Sequence, residues 1–167
     1  MAKRVGFSSL MDGEELPKSD LHFEVLGDLD ECSAALALAR SSSNDYEVNT
    51  TLKAIQKDIS WLMGLIAGAT LEESVFNERL DWIEGMIMDL KQSLVMPKNF
   101  ILTGETRAEA TLDFARAVAR RAERSLNRLA ESTQAPDKAA LQYLNRISTV
   151  LYLFEIKTRN AAGKVAL

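Results

Sequence analysis

Histidine and cysteine are almost absent from this chain, each occurring once, as His22 and Cys32. One cysteine excludes an intrachain disulfide and a thiolate zinc site within one subunit, and it points to a reducing compartment. One histidine excludes a carboxylate-bridged di-iron bundle, which needs a Glu-x-x-His on each of two helices. No Cys/His or Ser/His pairing suggests a hydrolytic nucleophile, and there is no Gly-x-x-x-x-Gly-Lys loop. Eight glycines and three prolines in 167 residues are few, which favours long uninterrupted helices over strands. Surplus positive charge is missing too. A net charge of -4 argues against a general nucleic-acid binder, whose phosphate contacts need excess Lys and Arg. The most apolar stretch, residues 61–71, is too short to span a bilayer, and no apolar run follows Lys3 and Arg4 as a signal peptide would require. A cytoplasmic protein without membrane or nucleic-acid partners is expected, although a trimmed organellar protein would look the same.

What the chain does have is apolar residues in helical register. With 47% hydrophobic and 26% charged residues it can build a sizeable core, and its length suits one domain over residues 1–167. Residues 1–18 show no clear period and read as irregular. Ser19 can cap a helix with the stripe Leu26, Leu29, Ser33, Leu36, ended by the turn-rich Ser41 to Asp45. A second helix carries Leu52, Ile55, Ile59, Leu62 and Ile66. A third carries Leu80, Ile83, Ile87, Leu90 and Leu94 and stops before Pro97. Thr106 and Glu109 have capping-box spacing ahead of a fourth helix with Leu112, Ala115, Ala119, Ala122, Leu126 and Leu129. Pro136 suits the first turn of a last helix through Leu141, Leu144, Ile147, Leu151 and Phe154. Five amphipathic helices must bury their faces together, so an all-α, five-helix antiparallel bundle is predicted. Met63, Met86, Met88 and Met96 lie near helical apolar positions and are read as core.

The fourth helix also holds Arg116, Arg120, Arg121, Arg124 and Arg128, with Glu123 among them. At about 100° per residue the five arginines share an arc of roughly 140°. Two readings stay open: a solvated face laced with salt bridges, or a polyanion site in which guanidinium groups bind phosphate oxygens. The overall charge disfavours nucleic acid, so the second reading prefers a nucleotide or small phosphate ligand. Asp28, Asp30 and Glu31 lie on the first helix. Asp30 stands one turn from Leu26 and from Ala34, near the expected stripe, and should pair with an arginine of the fourth helix. Asn145, Arg146 and Ser148 flank the apolar face of the last helix, where Asn145 serves either a buried polar network or ligand recognition.

Taken in order, these residues resemble the PduO-type ATP:cob(I)alamin adenosyltransferases over nearly the whole chain. Arg116-Ala-Val-Ala-Arg-Arg-Ala-Glu-Arg124 resembles the family's Arg-x-x-x-Arg-Arg-Ala-Glu-Arg helix, and Tyr143-Leu-Asn-Arg-Ile-Ser148 its Tyr-Leu-Asn-Arg-Leu-Ser-Asp run. Gly27-Asp-Leu-Asp-Glu31 is similar to its Gly-x-x-Asp-Glu segment, and Phe100-Ile-Leu-Thr-Gly104 to its Phe-x-x-Pro-Gly-Gly turn. Gly6-Phe-Ser-Ser-Leu10, Gly13 and Lys18 fall at the spacing of its N-terminal phosphate loop. There are departures. Ala2, Lys3 and Arg4 precede Val5-Gly6 where the family has Thr-Gly-Asp-x-Gly; Thr149 follows Ser148 where Asp is usual; Thr103 and Glu105 alter the Pro-Gly-Gly turn. Arg4 either compensates as a phosphate contact or distorts the loop.

The resemblance implies a five-helix subunit in a homotrimer with active sites between neighbours. It implies transfer of the 5′-deoxyadenosyl group of ATP, with Mg2+, to the cobalt of reduced cobalamin, giving adenosylcobalamin and triphosphate. Arg120 and Phe100 would be the catalytic residues. Ser8, Lys18, Arg120, Arg121, Glu123, Arg124 and Asn145 would bind ATP, and Asp30 would pair with Arg116 across the subunit boundary. Phe100 would lie against the corrin's lower face and keep water and the lower ligand off cobalt. No side chain needs to attack, because cobalt is the nucleophile; the protein positions, stabilises charge and excludes water. A reductase and an adenosylcobalamin-dependent acceptor enzyme would be its partners. The altered N-terminus supports an alternative, a non-catalytic corrinoid- or nucleotide-binding homologue that stores, delivers or senses its ligand.

Overall fold

Local capping chemistry sets the helix boundaries. The computed structural model describes residues 4–70, 72, 75–133, 136 and 138–163, so the expectations on Ala2 and Lys3 lie outside the described residues. Helix α1, Leu21–Ser42, is capped by Asp20 rather than Ser19, the carboxylate accepting from the His22 N–H at 3.0 Å. Helix α2, Tyr46–Ile66, is capped by Asp45, which accepts from Glu47 and Val48. These short acidic side chains satisfy donors that a helix start leaves open. Helix α3 spans Val75–Ser93. Helix α4, Arg107–Thr133, opens as predicted, with Thr106 Oγ1 accepting from Glu109 N at 3.1 Å. The Glu109 carboxylate reaches back one residue further than a capping box would, to Glu105 N. Helix α5 spans Lys138–Ala161, so Pro136 precedes the helix instead of sitting in its first turn.

Two expectations needed correction at the N-terminal end. The segment expected to be irregular contains a hairpin, β1 (Phe7–Ser9) against antiparallel β2 (Glu15–Pro17), with Ser8 opposite Leu16. Three-residue strands are too short to show an alternation. In α1 the buried face is Val25, Leu29, Cys32 and Leu36, one residue round from the expected Leu26 and Ser33. That rotation leaves Asp30 exposed and turns Asp28 toward α4.

Each helix reverses the direction of the one before. Helix α1 packs between α2 and α4, and α5 packs between α4 and α3. The α4–α5 pair is antiparallel, since Glu109 meets Arg159 and Glu123 meets Asn145. Helices α3 and α5 are both odd in the alternation and run parallel: Phe76 meets Tyr143, Glu84 meets Arg146, and Asn160 meets Val95. One buried apolar cluster draws on all five helices. Met63 and Met86 pack against it, whereas Met88 and Met96 are exposed and are not core. Buried Asp58 of α2 accepts from the Tyr143 hydroxyl of α5 and from Arg79 of α3, so one carboxylate ties three helices together. Among the described residues no helix is long and apolar enough to cross a membrane.

Candidate active site

The arginines of α4 follow the i, i+4 rule, which places Arg116, Arg120, Arg124 and Arg128 in one row with Arg121 beside it. The row divides by partner. Arg116 binds Asp113 at 2.5 Å and buried Glu155 of α5 at 3.0 Å. Arg121 reaches Asp28 at 3.3 Å and also binds Glu31, and Arg128 binds Glu24, all on α1. The hydrogen bond from Arg121 to Glu31 holds its guanidinium pKa above the ordinary value. Arg120 and Arg124 have no ion pair among the described residues. The salt-bridge reading therefore holds for three arginines, and the other two, one turn apart and exposed, carry no carboxylate partner among the described residues. A groove of about 600 Å³ runs between α1 and α4, lined by Arg121, Arg124, Arg128 and Glu131 of α4 opposite Glu24 and Asp28 of α1.

On the neighbouring helix, Asn145 Nδ2 donates to Glu123 Oε1 at 2.5 Å, and Arg146 donates to Asn145 Oδ1 at 3.3 Å. Arg146 is further held by Glu84 of α3. Glu123 and Asn145 thus form one unit beside Arg120 and Arg124. Asp30, exposed and without an ion pair among the described residues, does not approach Arg116 of its own chain.

Other candidate residues lie farther away. Ser8 and Lys18 sit on the hairpin, where Lys18 N donates to Gly6 O at 2.8 Å. The hairpin docks on the end of α2, with Met11 N donating to Ala67 O at 2.7 Å. No hydrogen bond or ion pair among the described residues joins Ser8 or Lys18 to the arginine row. Arg4 stacks over the Phe7 ring, its guanidinium carbon 3.8 Å from the ring centroid, and so braces the hairpin from within. Phe100 lies toward the opposite end of the bundle, 97% exposed, above a cavity of about 250 Å³ that Arg116 and Glu155 also line. Between Asp113 and Arg128 the helix rises about 22 Å. One chain therefore distributes the candidate residues along its length instead of gathering them.

Sequence reasoning passed over Asp113, Glu155 and Arg159 and took Thr103 only as a change in the turn, yet all four contribute polar contacts at the Phe100 end. Glu155 is fully buried, and burial pushes its carboxyl up to about 8 although Arg116 pulls the other way. Burial raises Asp113 too, but hydrogen bonds from Thr103 and Arg116 win and hold it below the usual carboxylate range. The signal was present: Glu155 stands one turn after Leu151, on the apolar stripe itself. Cys32 is buried and its thiol is pushed up to about 12, so it offers no thiolate.

Fold and site together define a five-helix bundle that presents a phosphate-competent arginine row on one helix and an exposed aromatic loop at one end. Over residues 3–158 the chain matches the family described as Cobalamin adenosyltransferase, and it belongs to that family, as the resemblance implied. The corrinoid adenosyltransferase PduO of Salmonella typhimurium is 35% identical over 153 residues, 88% of this chain and 45% of that protein. A cobalamin adenosyltransferase of Cupriavidus metallidurans is 32% identical over 162 residues, 95% of this chain and 85% of that protein. The chain spans about half the length of the PduO relatives it matches. Among solved structures, a phenylalanine-to-alanine variant of the PduO-type ATP:corrinoid adenosyltransferase of Lactobacillus reuteri, complexed with cobalamin and ATP, superposes with a TM-score of 0.84. It is 21% identical and covers 95% of this chain and 91% of that one, so the two share the fold.

Proposed function

We propose that the protein transfers the 5′-deoxyadenosyl group of ATP to the cobalt of a reduced corrinoid. The cobalt–carbon bond forms as the bond from C5′ to the triphosphate oxygen breaks, and the bonding pair leaves with triphosphate. The observation that carries this reading is the pair Arg120 and Arg124, exposed one turn apart and unclaimed by carboxylates among the described residues. Two guanidinium groups so placed neutralise charge growing on a leaving triphosphate. Arg121 and the Glu123–Asn145 unit complete the nucleotide contacts, and Lys18 and Ser8 meet the phosphates. Phe100 covers the corrin's lower face. Among the described residues no group of three or more acidic, His or Cys side chains is placed to hold a metal ion, and Mg2+ would come with the phosphates of ATP.

Because Phe100 and the hairpin lie at opposite ends of one subunit, the reading places the site between subunits of a homotrimer. There Asp30, which has no ion pair among the described residues, meets the partly exposed Arg116 of a neighbour. A reductase supplies the reduced corrinoid and an adenosylcobalamin-dependent enzyme takes the product. The single buried thiol suits a reducing, cytoplasmic setting. Incubation with ATP and chemically reduced cobalamin should yield the spectrum of adenosylcobalamin. Binding of both ligands without that change would mark the non-catalytic carrier instead.

A further inference from the structure

Residues 94–106 pass from α3 to α4 without regular structure, yet they are tied down along their length. Asn160 donates to Val95 O at 3.2 Å, Arg159 to Leu102 O at 3.1 Å, and the Thr103 hydroxyl to Asp113 Oδ2 at 2.6 Å. Between these ties Ile101 turns inward at 8% exposure, while Phe100 and Leu102 face water at 97% and 82%. Water disfavours exposed apolar surface, so an untethered loop would fold this pair away. A cavity lies beneath the loop, so packing there is incomplete, and the polar ties hold it together with buried Ile101.

Their anchors are themselves fixed. Arg116 grips Asp113 and Glu155, and Arg159 binds Glu109 at 2.5 Å; both glutamates are at most 1% exposed. Asp113 stays ionised at neutral pH, because Thr103 and Arg116 offset its desolvation, and a charged acceptor makes the Thr103 bond strong. Arg116 stands one turn before Arg120. The helix that offers an arginine to phosphate also anchors the loop that offers an aromatic ring.

We propose that Thr103 and Asp113, backed by Arg116 and Glu155, are positioning residues that set where Phe100 meets the corrin ring relative to Arg120. The assignment rests on the adenosyl-transfer reading above. In it the loop is preorganised, so corrinoid binding does not bear the cost of ordering it.

The test compares whole wild-type protein with Thr103→Val, Thr103→Ser and Asp113→Asn. Three quantities are read: kcat with KM for ATP and cobalamin, the spectrum of bound cob(II)alamin that reports loss of its lower ligand, and hydrogen exchange over residues 99–106. Thr103→Val should lower kcat by roughly tenfold or more, the worth of a hydrogen bond to a charged group. It should also reduce the fraction of cobalamin lacking the lower ligand and speed exchange in the loop, with KM for ATP changed less than about twofold. Thr103→Ser, which keeps the hydroxyl, should restore all three. Wild-type kcat and lower-ligand spectra in both Thr103→Val and Asp113→Asn would overturn the assignment, as would a proportionate rise in KM for ATP. If Asp113→Asn does not fold, Thr103→Val alone still decides. A wild type that forms no adenosylcobalamin overturns the adenosyl-transfer reading and this one with it. An active wild type with indifferent variants overturns this one alone.

Discussion

Arg120 and Arg116 lie one turn apart on α4 and should behave oppositely when removed. Arg120 has no carboxylate partner among the described residues, so Arg120→Ala should weaken ATP binding by about 1.5–3 kcal/mol, roughly 10–150-fold, with little change in thermal unfolding. Arg116→Ala leaves the ionised Asp113 without its cation and the buried Glu155 without its hydrogen-bond donor, and should lower the melting temperature by several degrees. Equilibrium ATP titration and calorimetry on the two variants check the contrast; equal loss of stability would return Arg120 to the salt-bridge class. Glu155 also sets a pH dependence. It faces Arg116, Asp113 and Glu109, and its folded pKa of about 8 lies above the ordinary 4.5. The unfolded chain thus holds fewer protons between those values. The contribution is complete below about pH 4.5 and is lost as pH rises through about 8, at a limiting slope of about 1.4 kcal/mol per pH unit. Melting temperatures across pH 5–9 should fall in the wild type and flatten in Glu155→Gln.

At the scale of elements, the hairpin and the arginine helix are separate modules joined through the end of α2. Gly68, at φ +94°, closes that end, and a Cβ there would lie 2.7 Å from the Asp12 side chain of the hairpin. Gly68→Ala therefore meets both backbone strain and a collision, and the hairpin is the lighter body to move. The expected result is a severalfold rise in KM for ATP with kcat for bound substrates little changed, because Lys18 and Ser8 travel with the hairpin. A fall in kcat at unchanged KM would instead tie the hairpin to the chemical step. This module shows where sequence reading ran short: periodicity exposed all five helices, but strands of three residues carry no period to read.

At the scale of the whole molecule, one subunit holds an exposed arginine pair, an exposed aromatic loop and, in Asp30, an acid without an ion pair among the described residues, at separate places along its length. In the proposed homotrimer, neighbouring subunits would bring the three together. Sedimentation at micromolar concentration should give a trimer, and Asp30→Arg, which opposes Arg116 with a like charge, should dissociate it and abolish turnover while each subunit's helix content remains. A stable, active monomer would remove the intersubunit site.

By itself the sequence determined the five helices, their order and the line of arginines, because apolar period and i, i+4 spacing are properties of one helix. Capping followed the same local logic, missing α1 by one residue because adjacent Ser19 and Asp20 can both cap. Tertiary structure decided which arginines are free, why Asp28 and not Asp30 meets α4, and how Thr103 and Glu155 support Phe100. Those outcomes depend on a second surface. A one-residue rotation of α1 swaps a paired acid for an exposed one, and whether a guanidinium finds a carboxylate depends on which helix lies opposite. Local pattern limits the faces a helix can offer; packing against its neighbours selects among them.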